Sequence, residues 1–534
     1  MKKILGNQIL IIALVYLLFT FVLQFFNGWY QNFSDSVHYL WIADKYAEGD
    51  WPNAINTYWG AMISWLLLLF KPLLSAPFVR FRVLQLILGF TALLLFRSIL
   101  KKKQIDTKNT LYYTLVSVPL IISFAWFYLT PDLLLVNGIL LAINFFLSDR
   151  EINFRRILLA ALIGAILFFI KSVGLYFFVL IVLGKFISEK NQWNVRSLLH
   201  HLSIALFLII FCGPWVYFIS KKNGSFTMGT SSGHNYKMNS PRITPDVYGE
   251  VGNPYHLGTL TESNPPNAFD ACVEHAHQNY LSWEGMSTAE IRDHYKKILV
   301  KNLKSARSML FGIDTGTVFI LLFFTAAFLY RKEIKPFIIE NNIFFLVLFA
   351  NLLLYLPFFY MDRYLWPALL SLLFLSIVLL NRFSVFKKKF IFFTTLALFL
   401  SLNLFSLYKE YQYSIPEKPI IEAIWESKQQ VELKRCVWIC DKNDKRLGVV
   451  KGMVYYNKGQ YLGALFYDMD SKEKLKEQLD AFAINTIISI DQKADSLLQK
   501  YRIVEVIYNS GPLQVYNYLP KPKPTPRGTV VMLK

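Results

Sequence analysis

About eleven stretches of this chain approach the ~20 apolar residues that a helix needs to cross a ~30 Å hydrocarbon layer. They fall at 7–27, 82–100, 110–129, 132–148, 156–171, 173–188, 202–220, 309–330, 342–360, 363–381 and 389–408. In lipid every backbone N–H and C=O must be satisfied within its own segment or by a closed barrel, so runs of this length read as helices. The expected fold class is therefore an all-α polytopic membrane protein. With 54% hydrophobic and only 17% charged residues, an ordinary soluble protein is excluded. The N-terminus, MKKILGNQIL, carries the charge of a signal peptide, but no small-residue cleavage site follows; it is read as a retained first span.

The stretch 60–78 (GAMISWLLLLFKPLLSAPF) is apolar but broken by Lys71-Pro72 and Pro77, which favours a re-entrant or interfacial helix over a span. Charge agrees. With the N-terminus in the cytoplasm, roughly twenty Lys/Arg flank the inner ends, against about six on the short outer segments (Lys45, Lys71, Arg80, Arg82, Lys171, Arg363). The net charge of +20 thus reads as membrane topology and contact with anionic lipid, not as a nucleic-acid site.

Two regions are too polar for lipid. Residues 221–308 form an expected outer loop closed by a helical run, Thr288 to Met309. Residues 409–534 are expected to form a small soluble, extracytoplasmic α/β domain. Its strand-like runs are CVWIC, GVVKGMVYY, NTIISI, RIVEVIY and PLQVYNYL, with one helix signal from Ser471 to Phe482 and a disordered tail, PKPKPTPRG. The transmembrane domain is then 1–408, with interfacial helices about 34–78. Cys436 and Cys440 lie about 13 Å apart on an extended strand, too far for a disulfide. Cys272 sits in the long loop, and no zinc spacing is present.

Where the first span leaves the bilayer the chain reads NFSDSVHYLWIADKYAEGDWPN. Acidic side chains at a membrane boundary are costly and usually mark a site. A helix starting at Asp35 gathers Asp35, His38, Tyr39, Ile42, Lys45 and Tyr46 on one side, with Val37, Leu40 and Trp41 opposite. Such a helix would lie in the interface with its carboxylate aimed into the protein; the alternative is an N-cap on a surface helix. The topology brings Asp132, Lys171 and Arg363 to the same outer face. Each has a plain structural alternative: a helix start after Thr130-Pro131, a snorkelling lysine, and a local pair with Asp362. Together, two carboxylates and two cations at one depth suit an anionic lipid headgroup and an acceptor that must lose a proton.

These residues resemble the C-type superfamily of membrane glycosyltransferases, in the branch of protein O-mannosyltransferases and lipid A aminoarabinose transferases. The resemblance is carried by Asp35 and Tyr39 after the first span, AxxxxxGDW at 43–51, Thr-Pro-Asp at 130–132 and Ile-Lys-Ser-Val-Gly at 170–174. Pro214-Trp215 and Arg363-Tyr364-Leu-Trp-Pro367 complete it. It implies inverting transfer of a sugar from a polyprenyl-phosphate donor to a lipid, protein or glycan acceptor on the outer face. Lys/Ile/Phe/Asn-rich usage favours a bacterial inner membrane over an endoplasmic reticulum, and the C-terminal domain is then expected in the periplasm. In that reading Asp35 is the acceptor-side base, Asp132 a second acceptor-binding carboxylate, Lys171 the phosphate ligand and Arg363 its helper. His38, Tyr39, Tyr58 and Tyr364 contribute to substrate binding. One motif departs: where the branch carries an acid or His, an optional Lys and then Pro-Pro-Leu, this chain has TYWGAMISWLL at 57–67, with Tyr58 and Trp59 in its place. That leaves the acceptor class open, and a divalent metal also stays open. The competing readings are a flippase or transporter for lipid-linked glycans, and an O-antigen polymerase or ligase. A transporter needs polar groups along a full path and ideally a repeat, whereas the inner halves of these spans are nearly all apolar.

Overall fold

The computed structural model describes residues 2–28, 35–148, 153–188, 195–237, 259–260, 287–311, 315–358, 361–427, 430–441, 447–466, 472–510 and 512–519. The chain divides into two compact units, Met1–Arg242 with Leu281–Ile415, and Ile243–Tyr280 with Pro416–Lys534.

The first unit is helical. It contains α1 (Lys2–Asn27), α2 (Ser36–Ala47), α3 (Trp51–Ala54), α4 (Met62–Phe70), α5 (Pro77–Lys102), α6 (Thr107–Val116) and α7 (Val118–Phe127). There follow α8 (Asp132–Phe146), α9 (Phe154–Ile170), α10 (Ser172–Ser188), α11 (Val195–Asn223) and α12 (Ser231–Lys237). After the long loop come α13 (Thr288–Phe311), α14 (Thr315–Leu329), α15 (Arg331–Glu340), α16 (Asn342–Tyr355), α17 (Trp366–Arg382) and α18 (Lys389–Ser414).

Each expected span overlaps one or more helices, with 110–129 divided between α6 and α7, and not all are equally long. Among the described residues six helices are long and apolar enough to cross a membrane, or seven if α15 and α16, bent by 74°, act as one. The expected spans at 132–148, 173–188 and 309–330 are shorter apolar helices. Lipid contact is written on the surface: Leu10, Leu14, Leu17, Phe21 and Phe25 of α1, and Leu202, Leu206 and Ile209 of α11, are exposed. In water such a belt would aggregate; in a bilayer it is solvated. The chain is an integral membrane protein.

Local chemistry explains the breaks. Asp106 caps α6 by accepting from the backbone N–H of Lys108 and Asn109, each at 3.0 Å, and Asn153 caps α9 through Arg156 N–H at 2.9 Å. The stretch 60–78 yields only α4, which ends at Lys71-Pro72 and at nine residues is too short to span. The expected interfacial helix forms as α2 but does not lie with one face outward. Val37, Leu40 and Trp41 are buried along with Tyr39 and Ile42, so α2 is enclosed on both faces. It packs against α4, where Ser64 Oγ donates to Tyr39 O at 2.9 Å and Lys71 Nζ to Asp44 Oδ1 at 3.0 Å.

The second unit is a mixed sheet with helices. Its elements are β1 (Thr259–Leu260), α19 (Lys418–Ser427), β2 (Arg435–Cys440), α20 (Leu447–Tyr456), β3 (Gln460–Phe466), α21 (Lys472–Ala481), β4 (Thr486–Ser489), α22 (Gln492–Tyr501), β5 (Val504–Ser510) and β6 (Leu513–Tyr518). Strand order is β1-β3-β2-β4-β6-β5, with β3, β2 and β4 parallel and the rest antiparallel. Val437, Ile439, Leu462, Leu465, Ile487, Leu479 and Leu498 form its core.

Two expectations fail here. GVVKGMVYY is the helix α20, not a strand, because parallel neighbours β2 and β3 can be joined only by a crossover, and this segment supplies it. The loop before α13 also lends a strand, β1, which pairs antiparallel with β3 (Thr259 opposite Ala464). Cys436 and Cys440 are buried and in no disulfide. The Pro/Lys-rich tail and Cys272 lie outside the described residues.

Candidate functional site

Four helix ends of the first unit converge. Asp35 precedes α2, Asp132 opens α8, Lys171 follows α9, and Arg363 lies in a 3₁₀ turn, Asp362–Leu365, that leads into α17. Asp35 occupies the N-cap position of α2, yet its side chain makes no cap bond. Its Oδ2 instead accepts from Arg363 Nη2 at 2.5 Å. Arg363 also sets Nε 3.6 Å from Asp132 Oδ2, so it pairs with two distant acids rather than with its neighbour Asp362. Lys171 Nζ donates to Asp132 Oδ1 at 2.5 Å. The result is a chain of alternating charge, Asp35–Arg363–Asp132–Lys171. Both cations lie against the Tyr364 ring, Lys171 at 5.0 Å and Arg363 at 5.5 Å from its centroid.

Lys171 owes its placement to a backbone break. It is a single extended residue (φ −155°, ψ 141°) between α9 and α10, so its side chain leaves the helix row and does not snorkel along it. Two glycines permit the tight turn. A Cβ at Gly174 would lie 2.2 Å from Leu167 O, and one at Gly60 would lie 2.0 Å from Ile170 O. Only a residue without a Cβ fits either place.

Asp35, Tyr39, Tyr58, Lys171, Arg363 and Tyr364 line one cavity of about 520 Å³, within the range of small-ligand sites. Its polar wall includes Ser231, Ser232 and Asn235 of α12; its apolar wall includes Leu353, Leu354, Pro357 and Phe358. The aromatic side is stiff. Asn56 Oδ1 accepts from the N–H groups of Tyr58 and Trp59, both at 2.8 Å, in an Asx turn. Tyr364 stacks on Tyr355 at 4.7 Å. Trp59, also in the lining, keeps a buried Nε1 donor with no protein partner among the described residues. Thr230 N–H donates to Thr57 O at 2.8 Å and ties the turn before α12 to this wall.

Two expected site residues stand behind the cavity. Asp132, 3% exposed, is enclosed by Lys171, Arg363 and the Thr130 hydroxyl, which donates to its Oδ2 at 2.8 Å. It is not in the cavity lining, and buried there it pairs with both cations. His38, 3% exposed, stacks on Trp59 at 4.8 Å and is not in the cavity lining. Burial would raise the Asp35 carboxyl, but Arg363 foremost, then His38 and Lys171, hold it below its ordinary value. Burial, reinforced by Asp35, pushes the Tyr39 and Tyr58 hydroxyls upward, so both remain proton donors. Among the described residues no three His, Cys, Asp or Glu side chains cluster, and each site carboxylate already faces a cation. That donor set does not fit a divalent ion.

No family model and no curated protein matches this sequence. Solved structures align along most of it. ArnT from Cupriavidus metallidurans, in the apo state, matches with a TM-score of 0.43 and 11% identity, covering 96% of this chain and 99% of that one. The Archaeoglobus fulgidus oligosaccharyltransferase, apo, matches with a TM-score of 0.47 and 10% identity over 91% of this chain and 69% of that one. The same figures hold for the archaeal oligosaccharyltransferase AglB from that organism, in complex with an inhibitory peptide and a dolichol-phosphate.

The remaining motif segments make local contacts. Gly49 (φ +76°) follows the end of α2, and Asp50 accepts from Asn53 Nδ2 at 2.9 and 3.0 Å. Trp215 packs edge-on against Trp65 and Phe169. Tyr176, Tyr355 and the α12 residues were not singled out from the sequence. Tyr355 sits in an apolar run, and Ser231, Ser232 and Asn235 in a polar loop, so neither segment contrasts with its surroundings.

Proposed function

We propose that the chain is a membrane glycosyltransferase that takes a sugar from a polyprenyl-phosphate donor. One observation carries this reading: a carboxylate and two cations from sequence-distant helix ends meet in a single cavity with aromatic and apolar walls. Phosphate is bound by Lys171 as a point charge and by Arg363 through paired N–H groups. The apolar lining at Leu353, Leu354 and Phe358 accommodates the first isoprenoid units.

In the reaction the acceptor hydroxyl or amine attacks the anomeric carbon. A new C–O or C–N bond forms, the bond from that carbon to the phosphate oxygen breaks, and the leaving phosphate keeps the electron pair. Asp35 takes the acceptor proton. Charge that builds on the leaving group is met by Lys171 and Arg363, held in place beforehand by Asp132, which is the kind of fixed electrostatics that contributes most to such barriers. One base and no carboxylate placed as nucleophile implies inversion, by analogy with glycosidase geometry. The site would lie on the outer side of a bacterial inner membrane, with the N-terminus cytoplasmic. Lipid, protein and glycan acceptors all fit this chemistry, the last as in an O-antigen polymerase or ligase.

The test is transfer of radiolabel from a polyprenyl-phosphate sugar to a second molecule in membranes containing the protein. Label that crosses the bilayer without becoming covalently attached would instead establish a flippase.

A further inference from the structure

A second cavity lies at the far end of the helices that carry the candidate site. Arg382 closes α17, whose 17 residues follow Arg363 by one turn, which sets the two arginines about 25–30 Å apart along the axis. Lys103 likewise follows the last residue of α5. That separation is one hydrocarbon thickness, so the cavity meets the headgroups of the opposite leaflet.

The cavity encloses about 740 Å³ and is walled by Lys103, Lys108, Arg382, Lys387 and Lys389 against only two acids, Asp106 and Glu340. Both acids are already occupied. Asp106 caps α6, and Glu340 accepts from Arg382 Nη1 at 2.6 Å. Lys387 and Lys389 are exposed and have no hydrogen bond or ion pair among the described residues. Membrane topology alone asks for basic residues near this end; it does not ask for five of them around one hollow. Asn341 adds a polar acceptor to the wall. It is 2% exposed and lines the cavity; its Nδ2 donates to Phe337 O at 2.8 Å, and its Oδ1 has no partner among the described residues. A buried acceptor of this kind calls for a donor, which a water, an ion or a ligand can supply. Phe392 and Phe393 complete the wall, the latter 53% exposed. Burial pushes Lys103 down to about 8, with Glu340 opposing and Arg382 adding to the fall, and a bound anion would raise it again.

We propose that this cavity binds a phosphate ester bearing an O–H or N–H donor, supplied as the headgroup of an anionic membrane phospholipid. The cations take the phosphate, Asn341 Oδ1 accepts from the headgroup donor, and Phe393 flanks the acyl chain. Native mass spectrometry of the full-length protein in detergent tests this with phosphatidylglycerol, phosphatidylcholine and glycerol phosphate. Phosphatidylglycerol should be retained at least about tenfold better than phosphatidylcholine, which lacks both net charge and donor. Combining Lys108→Glu, Lys387→Glu and Lys389→Glu should weaken that retention at least about tenfold. Position 108 lies in the first turn of α6 and position 389 in that of α18, where an acid favours the helix dipole, and the thermal midpoint of the variant checks that it folds. Equal retention of the two lipids, or unchanged retention by a folded triple variant, overturns the proposal. If glycerol phosphate displaces phosphatidylglycerol at equal concentration, the ligand is a soluble phosphate and the lipid assignment is overturned. Should the triple variant fail to fold, the comparison of lipids on the unaltered protein decides alone.

Discussion

Replacing each carboxylate of the site by its amide should separate two roles that look alike in the sequence. Asp132 is 3% exposed and faces Lys171 at 2.5 Å and Arg363 at 3.6 Å. Asp132→Asn would present N–H donors to two cations that are themselves donors. Removing one partner of such a buried pair costs about 3–5 kcal/mol, chiefly through the charges left behind. Asp35 is 27% exposed, and Arg363 keeps Asp132 when Asp35 is neutralised, so Asp35→Asn should cost only about 1–2 kcal/mol. Loss of a general base slows transfer by about 100- to 10,000-fold. The assay pairs thermal unfolding in detergent, scanned at one rate because unfolding of such proteins is often irreversible, with single-turnover transfer from a polyprenyl-phosphate sugar. Asp35→Asn should melt close to wild type and be nearly inactive, whereas Asp132→Asn should melt clearly lower and lose donor binding as well. An Asp35→Asn protein that transfers sugar at near wild-type rate removes the base. An Asp132→Asn protein that melts with wild type removes the counter-ion role.

Lys171→Ala should raise the KM for donor at least about tenfold in initial-rate assays with a smaller effect on acceptor KM, because one charge-assisted contact to phosphate is lost; equal effects on both would place Lys171 elsewhere in the cycle. Gly60→Val should abolish accumulation of folded protein in fluorescence-detected size exclusion, since even its Cβ would lie 2.0 Å from Ile170 O, and a monodisperse variant would contradict that packing. Asp35 acts as a carboxylate, the form present above its pKa and lost as pH falls through it. Because Arg363 holds that pKa below the ordinary range, kcat/KM should show no acidic limb from Asp35 between pH 8 and about pH 5. Arg363→Ala should move the limb upward in whatever activity remains, and an unchanged profile would break the link between the two groups.

The helices of the first unit were legible because a span announces itself by a local property, twenty apolar residues with charges at the ends. Charge asymmetry along the same chain brought Asp35, Asp132, Lys171 and Arg363 to one side, since a helix reverses direction at each crossing. What that reasoning lacks is depth and angle. It could not tell that Asp132 stands behind Lys171 while Asp35 faces the cavity, because both are acids beside a helix start; packing of α8 against its neighbours decides the difference. Likewise α2 has two usable faces, and only the folded structure shows that both are buried. In the second unit GVVKGMVYY has the composition of a strand and is a helix, for the demand of a parallel crossover arises from strands on either side of it. The sequence by itself determined the membrane-spanning helical class and the candidate charges, through solvation rules that act residue by residue. Which charges share a pocket, and which merely hold the others in place, was decided by tertiary contacts between segments up to 328 positions apart, as Asp35 and Arg363 are.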